Sequence, residues 1–228
     1  MMVAADLVGD DDMLDDLLER VGHSYGTDDR AAAGTLFLRG YLWRFLVPSV
    51  ATFLIDRRLP DLGAENVTLS FDENGRPAGL AFVGARFAAL EGDSPGTEVL
   101  DGEEAMLAWM VKGLARDHLP ELISALRRRG VRRTERALGS AAADVVAEAF
   151  VWVGTQLGRE DEARAFAEGV SCVGPPTRGS AYYSTPEQGS YPTVRVRSVC
   201  FYYRAGNDPC LTCPRIPDAE RARRMVRA

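Results

Sequence analysis

The sequence has few of the side chains on which acid–base catalysis usually depends. It holds only 2 histidines in 228 residues, and no set of serine, histidine and acidic residues resembles a catalytic triad. It also lacks a G-x-G-x-x-G turn after a strand and a Walker loop, so there is no evident site for NAD(P)H or a flavin. The chemistry of this protein must therefore depend on another kind of group.

The chain also has fewer basic than acidic residues. The 27 lysines and arginines are outnumbered by 33 acidic residues, which gives a formal net charge of -6. An acidic chain has no long-range field that would gather DNA, RNA or an anionic membrane. We therefore expect no nucleic-acid partner.

Long hydrophobic runs and an export signal are missing as well. The first twelve residues include four aspartates, Asp6 and Asp10 to Asp12, and carry no basic stretch followed by an apolar core. The longest apolar stretch, residues 41–55, is interrupted by Arg44 and Pro48, so we expect no membrane span. These features predict a cytoplasmic protein. Because thiols stay reduced in that compartment, a cysteine cluster there favours a metal site over disulfides.

Apolar residues recur at helical spacing over most of the chain, which predicts a mainly helical protein. The predicted helices are Asp10–Val21, a long segment from Asp28 or Asp29 to about Arg58 that Pro48 kinks or divides, one from Glu103, one that Asp117 caps, and two over Thr134–Leu157 and Glu160–Glu168. These segments are expected to form a helical bundle.

A smaller β element interrupts the helical pattern. Residues 66–71 and 78–83 are short apolar runs on either side of an Asp-Glu-Asn-Gly turn, which predicts a β-hairpin. Residues 86–90 could add a short strand. The fold class expected is therefore α+β, mainly helical, with a small β-hairpin or sheet beside the bundle.

The composition changes after residue 170. Glycine, proline, serine and tyrosine are frequent in the next residues, and apolar residues no longer recur at helical spacing there. Only Thr193–Val199 resembles a strand, and a final arginine-rich helix begins near Pro217. We therefore divide the chain into a helical body with the hairpin, residues 1–170, and a Cys-rich segment with the last helix, residues 171–228, packed as one unit with the body.

All four cysteines lie in that second part. Cys210 and Cys213 form a C-x2-C pair, in which a tight turn can bring two thiolates onto one metal ion. Cys200 precedes a Gly-Asn-Asp-Pro turn that can return the chain to the pair, and Cys172 is the remaining thiol. The spacing alone leaves zinc, an iron-sulfur centre and an unliganded redox dithiol open. Weaker candidates for a ligand are His23, His118, Ser198 and Asp208.

The residues around these cysteines resemble a known family. The stretch Ser198-Val-Cys-Phe-Tyr-Tyr-Arg204, followed by Cys-Leu-Thr-Cys-Pro at 210–214, is similar to the C-terminal signature of the FhuF-type ferric siderophore reductases. That family has two adjacent cysteines, ten further residues and a C-x-x-C pair, and its members bind a 2Fe-2S cluster. The run Arg39–Asp61 and the hairpin after it also look similar.

Two departures from the family pattern concern the ligands. Val199 stands where the first cysteine of the family would be, and nine residues rather than ten separate Cys200 from Cys210. One ligand is therefore missing from the expected place. Our hypothesis is that Cys172 supplies the fourth thiolate and joins Cys200, Cys210 and Cys213 in the metal site.

The resemblance implies a function. It suggests a 2Fe-2S protein that reduces ferric siderophores of the hydroxamate type by one-electron transfer, with electrons from an external ferredoxin or flavin reductase. Tyr202, Tyr203 and Arg204 are candidates for contact with the siderophore. The alternatives are a siderophore-binding or accessory protein with structural zinc or a lost cluster, and a cluster-based sensor.

Overall fold

The computed structural model describes residues 1–92, 96–170, 181–183, 193–195, 199–210 and 213–225. These residues form a mainly helical α+β fold, as the sequence predicts. The helices are α1 (Ala4–Gly9), α2 (Asp11–Ser24), α3 (Arg30–Asp56), α4 (Glu103–Ala115), α5 (Leu119–Arg128), α6 (Glu135–Leu157), α7 (Glu160–Gly169) and α8 (Asp218–Met225). The strands are β1 (Met2–Val3), β2 (Arg58–Pro60), β3 (Val67–Phe71), β4 (Pro77–Phe82), β5 (Phe87–Ala89), β6 (Thr97–Val99), β7 (Ala181–Tyr183) and β8 (Thr193–Arg195).

Helix α3 is the central element of the body. Asp29 caps it, because its side chain accepts hydrogen bonds from the backbone N–H groups of Ala31 and Ala32. Pro48 lies inside the helix, which continues to Asp56. The alternative that Pro48 starts a new helix is therefore wrong, since the residues on both sides of it stay in one helix.

The core lies between α3 and its neighbours α2 and α6. Phe37, Phe45 and Phe53 of α3 are buried, and Phe53 packs edge-on against Phe150 of α6 at 6.0 Å between ring centroids. Among the described residues α6 is also the one helix long and apolar enough to cross a membrane by length and composition. Its most apolar window is 67% buried inside the protein, as is usual for a core helix of a globular fold.

Two small sheets pack beside the helices of the body. The predicted hairpin is confirmed as β3 and β4, and β1 adds to it in the order β1-β3-β4. The candidate strand at 86–90 is confirmed as β5, which pairs with β2 on one side and, in parallel, with β6 on the other. The sequence did not indicate β1, β2, β6 or β7, because strands of two or three residues are too short to show an alternating pattern.

The only buried histidine of the described body lies between α3 and α5. Asp117 was predicted to cap α5, but His118 occupies the cap position, and its ring is fully buried. His118 Nδ1 is 2.8 Å from the carbonyl oxygen of Leu62, and Nε2 is 2.6 Å from the hydroxyl of Tyr41. Since a carbonyl only accepts, Nδ1 carries the proton and Nε2 accepts from Tyr41. Both ring nitrogens are used, so His118 is not available as a metal ligand.

This histidine makes the stability of the body depend on pH. Burial lowers the pKa of His118 to about 4, from 6.5 in its ordinary state. Between these values the unfolded chain binds a proton that the folded protein excludes, so the free energy of unfolding should fall as the pH falls from 6.5 to 4. Urea unfolding across this range should show a weaker pH dependence for His118→Gln. The exposed His23 is the matched control, and equal slopes for wild type and His118→Gln would contradict the assignment.

Candidate metal centre

Three of the four cysteines lie in the described part of the chain, and they are near one another. The backbone N–H of Cys213 donates to the carbonyl oxygen of Cys210 at 3.0 Å, which brings the backbones of the C-x2-C pair together. Cys200 is half-buried, Cys210 is exposed and Cys213 is buried. The predicted fourth ligand, Cys172, lies outside the described residues.

The pKa of the Cys200 thiol depends on the groups around it. Burial raises the pKa of its thiol, the backbone N–H of Tyr202 and the charge of Arg39 lower it, and Cys210 and Cys213 raise it again. The three thiols are therefore close enough for their charges to interact. Within the described ranges, however, no three histidine, cysteine or acidic side chains are arranged closely enough to hold a metal ion.

Arg133 fastens the chain next to Cys200 to the helical body. Its Nη1 donates to the carbonyl oxygen of Val199 at 2.5 Å, and its guanidinium lies 4.5 Å from the ring centroid of Phe201. The loop that carries Arg133 can approach α3 because residue 34 is glycine. A Cβ at Gly34 would be only 2.4 Å from a methyl carbon of Val131, so a larger residue would force the loop away.

A second set of contacts holds the residues after Cys200. Arg204 Nη1 is 2.5 Å from the carboxylate of Asp29, and its guanidinium stacks 4.0 Å from the ring centroid of Phe201. Tyr202 packs edge-on against Tyr25 of the body at 5.9 Å between centroids. Residues 199–210, which we call the cysteine segment, thus pack against the beginning of α3.

The candidates for substrate contact have structural partners here. Arg204 pairs with Asp29, and the Tyr203 ring lies 4.2 Å from the guanidinium of Arg215, which also donates to its hydroxyl at 3.1 Å. Tyr202 is half-buried against Tyr25. These contacts hold the cysteine segment in place, while a role of Tyr202, Tyr203 and Arg204 in siderophore contact stays a prediction.

Arg39 places a buried positive charge beside Cys200. Its side chain is 21% exposed and forms an ion pair with Glu148 of α6 through Nη2. Burial alone would lower the pKa of Arg39, but Glu148, Cys200 and Asp144 together raise it above its usual value. Its other terminal nitrogen, Nη1, is buried and has no hydrogen-bond partner among the residues that the structure describes.

Sequence reasoning missed this arginine and its ion pair. Arg39 sits in an apolar helix, with Thr35 and Trp43 one turn away on either side and no acid at helical spacing. An unmatched charge on a core helix indicates a partner elsewhere in the fold, and that signal could have found Arg39. Glu148, 109 residues away, could not have been chosen from spacing alone.

Loss of the Arg133 hydrogen bond should loosen the cysteine segment. A hydrogen bond from a charged donor contributes about 1.5–3 kcal/mol, so Arg133→Gln should speed amide exchange in residues 199–210 about tenfold or more. Hydrogen–deuterium exchange followed by mass spectrometry measures this. The exposed neighbour Arg132 provides the control, as Arg132→Gln, and an unchanged exchange pattern in Arg133→Gln would show that the segment is held by other contacts.

The part of the chain that matches a known family is the helical body, and it does not include the cysteines. The family model described as "Ferric iron reductase FhuF-like transporter" matches residues 35–171, which include most of α3, the hairpin and α4 to α7 but none of the four cysteines. No curated protein and no solved structure matches the chain. The match spans more than half of the sequence and confirms the resemblance noted from its motifs: the chain belongs to the FhuF-like ferric iron reductase family.

Proposed function

We propose that this protein is an iron-sulfur reductase that releases iron from ferric siderophores by one-electron transfer. The observation that carries the proposal is the family match, together with the position of Cys200 beside the charge of Arg39 and the contact between the backbones of Cys210 and Cys213. Ferric iron reduction follows from the family. The cluster, its type and the siderophore are our inference.

The described donor set suits an iron-sulfur centre in its chemistry. Cys200, Cys210 and Cys213 offer thiolates, the ligands that hold such clusters, and Cys172 is the predicted fourth. Arg39 and Arg133 interact electrostatically with Cys200. A thiolate-bound 2Fe-2S group would supply a one-electron carrier, and these cations would balance part of its negative charge.

The reaction needs no acid or base from the protein. Siderophores hold ferric iron with hard oxygen ligands, and they hold ferrous iron far less tightly, so one electron added to the metal is enough to release it. The electron comes from an external donor such as a ferredoxin or a flavin reductase, since the sequence has no evident nicotinamide or flavin site. The chain's own residues hold the carrier, set its potential and position the ferric complex near it.

Absorption spectra of cysteine variants test the ligand set. Protein purified anaerobically should be coloured and contain iron and sulfide. Cys172→Ala, Cys200→Ala, Cys210→Ala and Cys213→Ala should each lose most of the visible absorption, because a cluster with three thiolates is less stable. An unchanged spectrum in Cys172→Ala would reject that residue as a ligand, and a colourless wild-type protein that contains zinc would favour the accessory-protein alternative.

Release of ferrous iron tests the function itself. Chemically reduced protein is mixed with a ferric hydroxamate siderophore and, separately, with a ferric catecholate, in the presence of a ferrous chelator. The proposal expects the coloured ferrous complex to form in proportion to the protein. Coloured protein that binds cluster but releases no ferrous iron from either complex would instead support a sensor.

Arg39 and Glu148 should shift the reduction potential in opposite directions. Reduction adds a negative charge, which a nearby cation stabilises and a nearby anion opposes. Arg39→Gln should therefore lower the potential, and Glu148→Gln should raise it, each by on the order of tens of millivolts. Potentiometric titration followed by EPR measures both. Equal potentials in the two variants would show that this ion pair does not act on the centre.

A further inference from the structure

Phe201, the residue directly after Cys200, has a left-handed backbone. Its φ is 65° and its ψ is 10°. Within the described ranges, Phe201 and Arg57 are the two residues other than glycine with a positive φ. Bulky side chains rarely adopt this conformation, because the Cβ comes too close to the following carbonyl oxygen. Arg57 ends the long helix α3, where left-handed residues are common. Val199 and Cys200 are not helical, so a helix end does not explain Phe201.

The conformation of Phe201 turns the next amide toward Cys200. At ψ near 0° the nitrogen of the following residue comes close to the preceding residue, whereas extended backbone turns it away. The backbone N–H of Tyr202 accordingly donates a hydrogen bond to the Cys200 sulfur. A side chain that accepts from the backbone two residues later is the arrangement of an Asx-turn, here with sulfur in place of oxygen. Phe201 is thus the middle residue of a turn that the thiol closes.

The backbone after Phe201 leaves this amide available for the thiol. Residues Tyr202–Ala205 form a single 3₁₀ turn, in which the Arg204 N–H donates to the carbonyl oxygen of Phe201 at 2.7 Å. The first N–H groups of a helical turn have no acceptor inside that turn. The N–H of Tyr202 therefore needs an acceptor from outside, and the Cys200 sulfur supplies it.

The ring of Phe201 supports its strained backbone. The guanidinium of Arg204 lies 4.0 Å from the ring centroid, and that of Arg133 lies 4.5 Å from it. Such cation–π contacts are favourable. Both arginines are held in turn, Arg204 by Asp29 and Arg133 by the carbonyl of Val199. A glycine here would adopt the left-handed backbone without strain, but it would give the two arginines no ring to contact.

The hydrogen bond from Tyr202 acts on the charge of the Cys200 sulfur. An N–H donor stabilises negative charge on sulfur, and reduction of a thiolate-bound centre adds negative charge that its sulfur ligands share. Hydrogen bonds to the sulfurs are accordingly one of the factors that set the potential of such a centre. The Tyr202 amide should therefore raise the reduction potential, and it does so without a formal charge.

We propose that Phe201 is a positioning residue for the candidate metal centre. Its left-handed backbone, which the contacts of its ring with Arg133 and Arg204 stabilise, directs the Tyr202 N–H at the Cys200 sulfur. This inference rests on the proposed function, because the potential that it raises is that of the iron-sulfur carrier. The hydrogen bond itself needs no cluster, so it can also be measured in the cluster-free protein.

Three substitutions of Phe201 separate the effect of the backbone from that of the ring. Phe201→Tyr keeps both and is the matched control. Phe201→Asn removes the ring, but asparagine tolerates a left-handed backbone. Phe201→Val removes the ring and also disfavours this backbone, because valine is β-branched. Phe201 lies outside the main hydrophobic cluster, so all three variants should fold, which circular dichroism checks.

Amide exchange in the cluster-free protein tests the hydrogen bond directly. The chain has 7 tyrosines, so selective ¹⁵N-tyrosine labelling gives few NMR signals, and the signal missing from Tyr202→Phe identifies this amide. In Phe201→Val the Tyr202 amide should exchange about tenfold faster than in wild type. Phe201→Asn should show a smaller increase, and Phe201→Tyr should match wild type. Equal exchange in wild type and Phe201→Val would overturn the inference.

The reduction potential of the cluster-loaded protein tests the consequence. Potentiometric titration followed by EPR gives the ratio of reduced to oxidised centre at a fixed solution potential. In Phe201→Val this ratio should fall about threefold to tenfold, or about 30–60 mV, since one electron corresponds to about 59 mV per factor of ten. Phe201→Tyr should keep the wild-type potential, and Phe201→Asn should lie between. Equal potentials in Phe201→Val and Phe201→Asn would contradict a role of the backbone.

The proposed function fails separately from this inference. A wild-type protein that binds no iron or sulfide, but whose Tyr202 exchange depends on residue 201 as expected, would reject the carrier. The positioning of the amide at Cys200 by Phe201 would then stand. A loaded protein that releases ferrous iron, with the same exchange and the same potential in all variants, would keep the reductase and reject the role of Phe201.

Discussion

The guanidinium of Arg39 has to be compensated inside the protein, and this requirement organises the region around the cysteines. Removing a cation from water is costly unless opposite charge lies close by. Glu148 of α6 supplies one negative partner, and the thiol of Cys200 interacts with the same cation. An arginine on a core helix thus links the helical body to the segment on which the proposed chemistry depends.

Helix α3 serves both the core and the candidate site. Its aromatic residues pack into the body, while its first three turns receive the cysteine segment through the cap residue Asp29 and through Arg39. Thr35 accepts a hydrogen bond from Arg133, which itself holds Val199. The close approach at Gly34 lets the loop with Arg133 reach the same place. Because most of these contacts come from one rigid helix, they fix the position of the cysteine segment relative to the core.

The sequence predicted the long elements better than the contacts between them. The period of apolar residues identified α2, α3 and α6, since each buries a continuous stripe, and the turn at Asp72–Gly75 identified the hairpin. The strands β1 and β6 are too short to carry a pattern. The pair Asp29–Arg204 joins residues 175 positions apart, and no local rule specifies such a partner. Cysteine spacing indicated a shared site, but it could not reveal the arginines that surround it.

The helical body buries its main hydrophobic cluster without a cysteine among the described residues. The main apolar core is thus separate from the thiols, in contrast to small domains whose core is the metal site itself. Insertion of a cluster would then be a late step in maturation, on a scaffold that is already formed. If the proposed cluster binds the cysteine segment, its loss to oxidants would leave the apolar core intact, and a new cluster would then have a folded protein to enter.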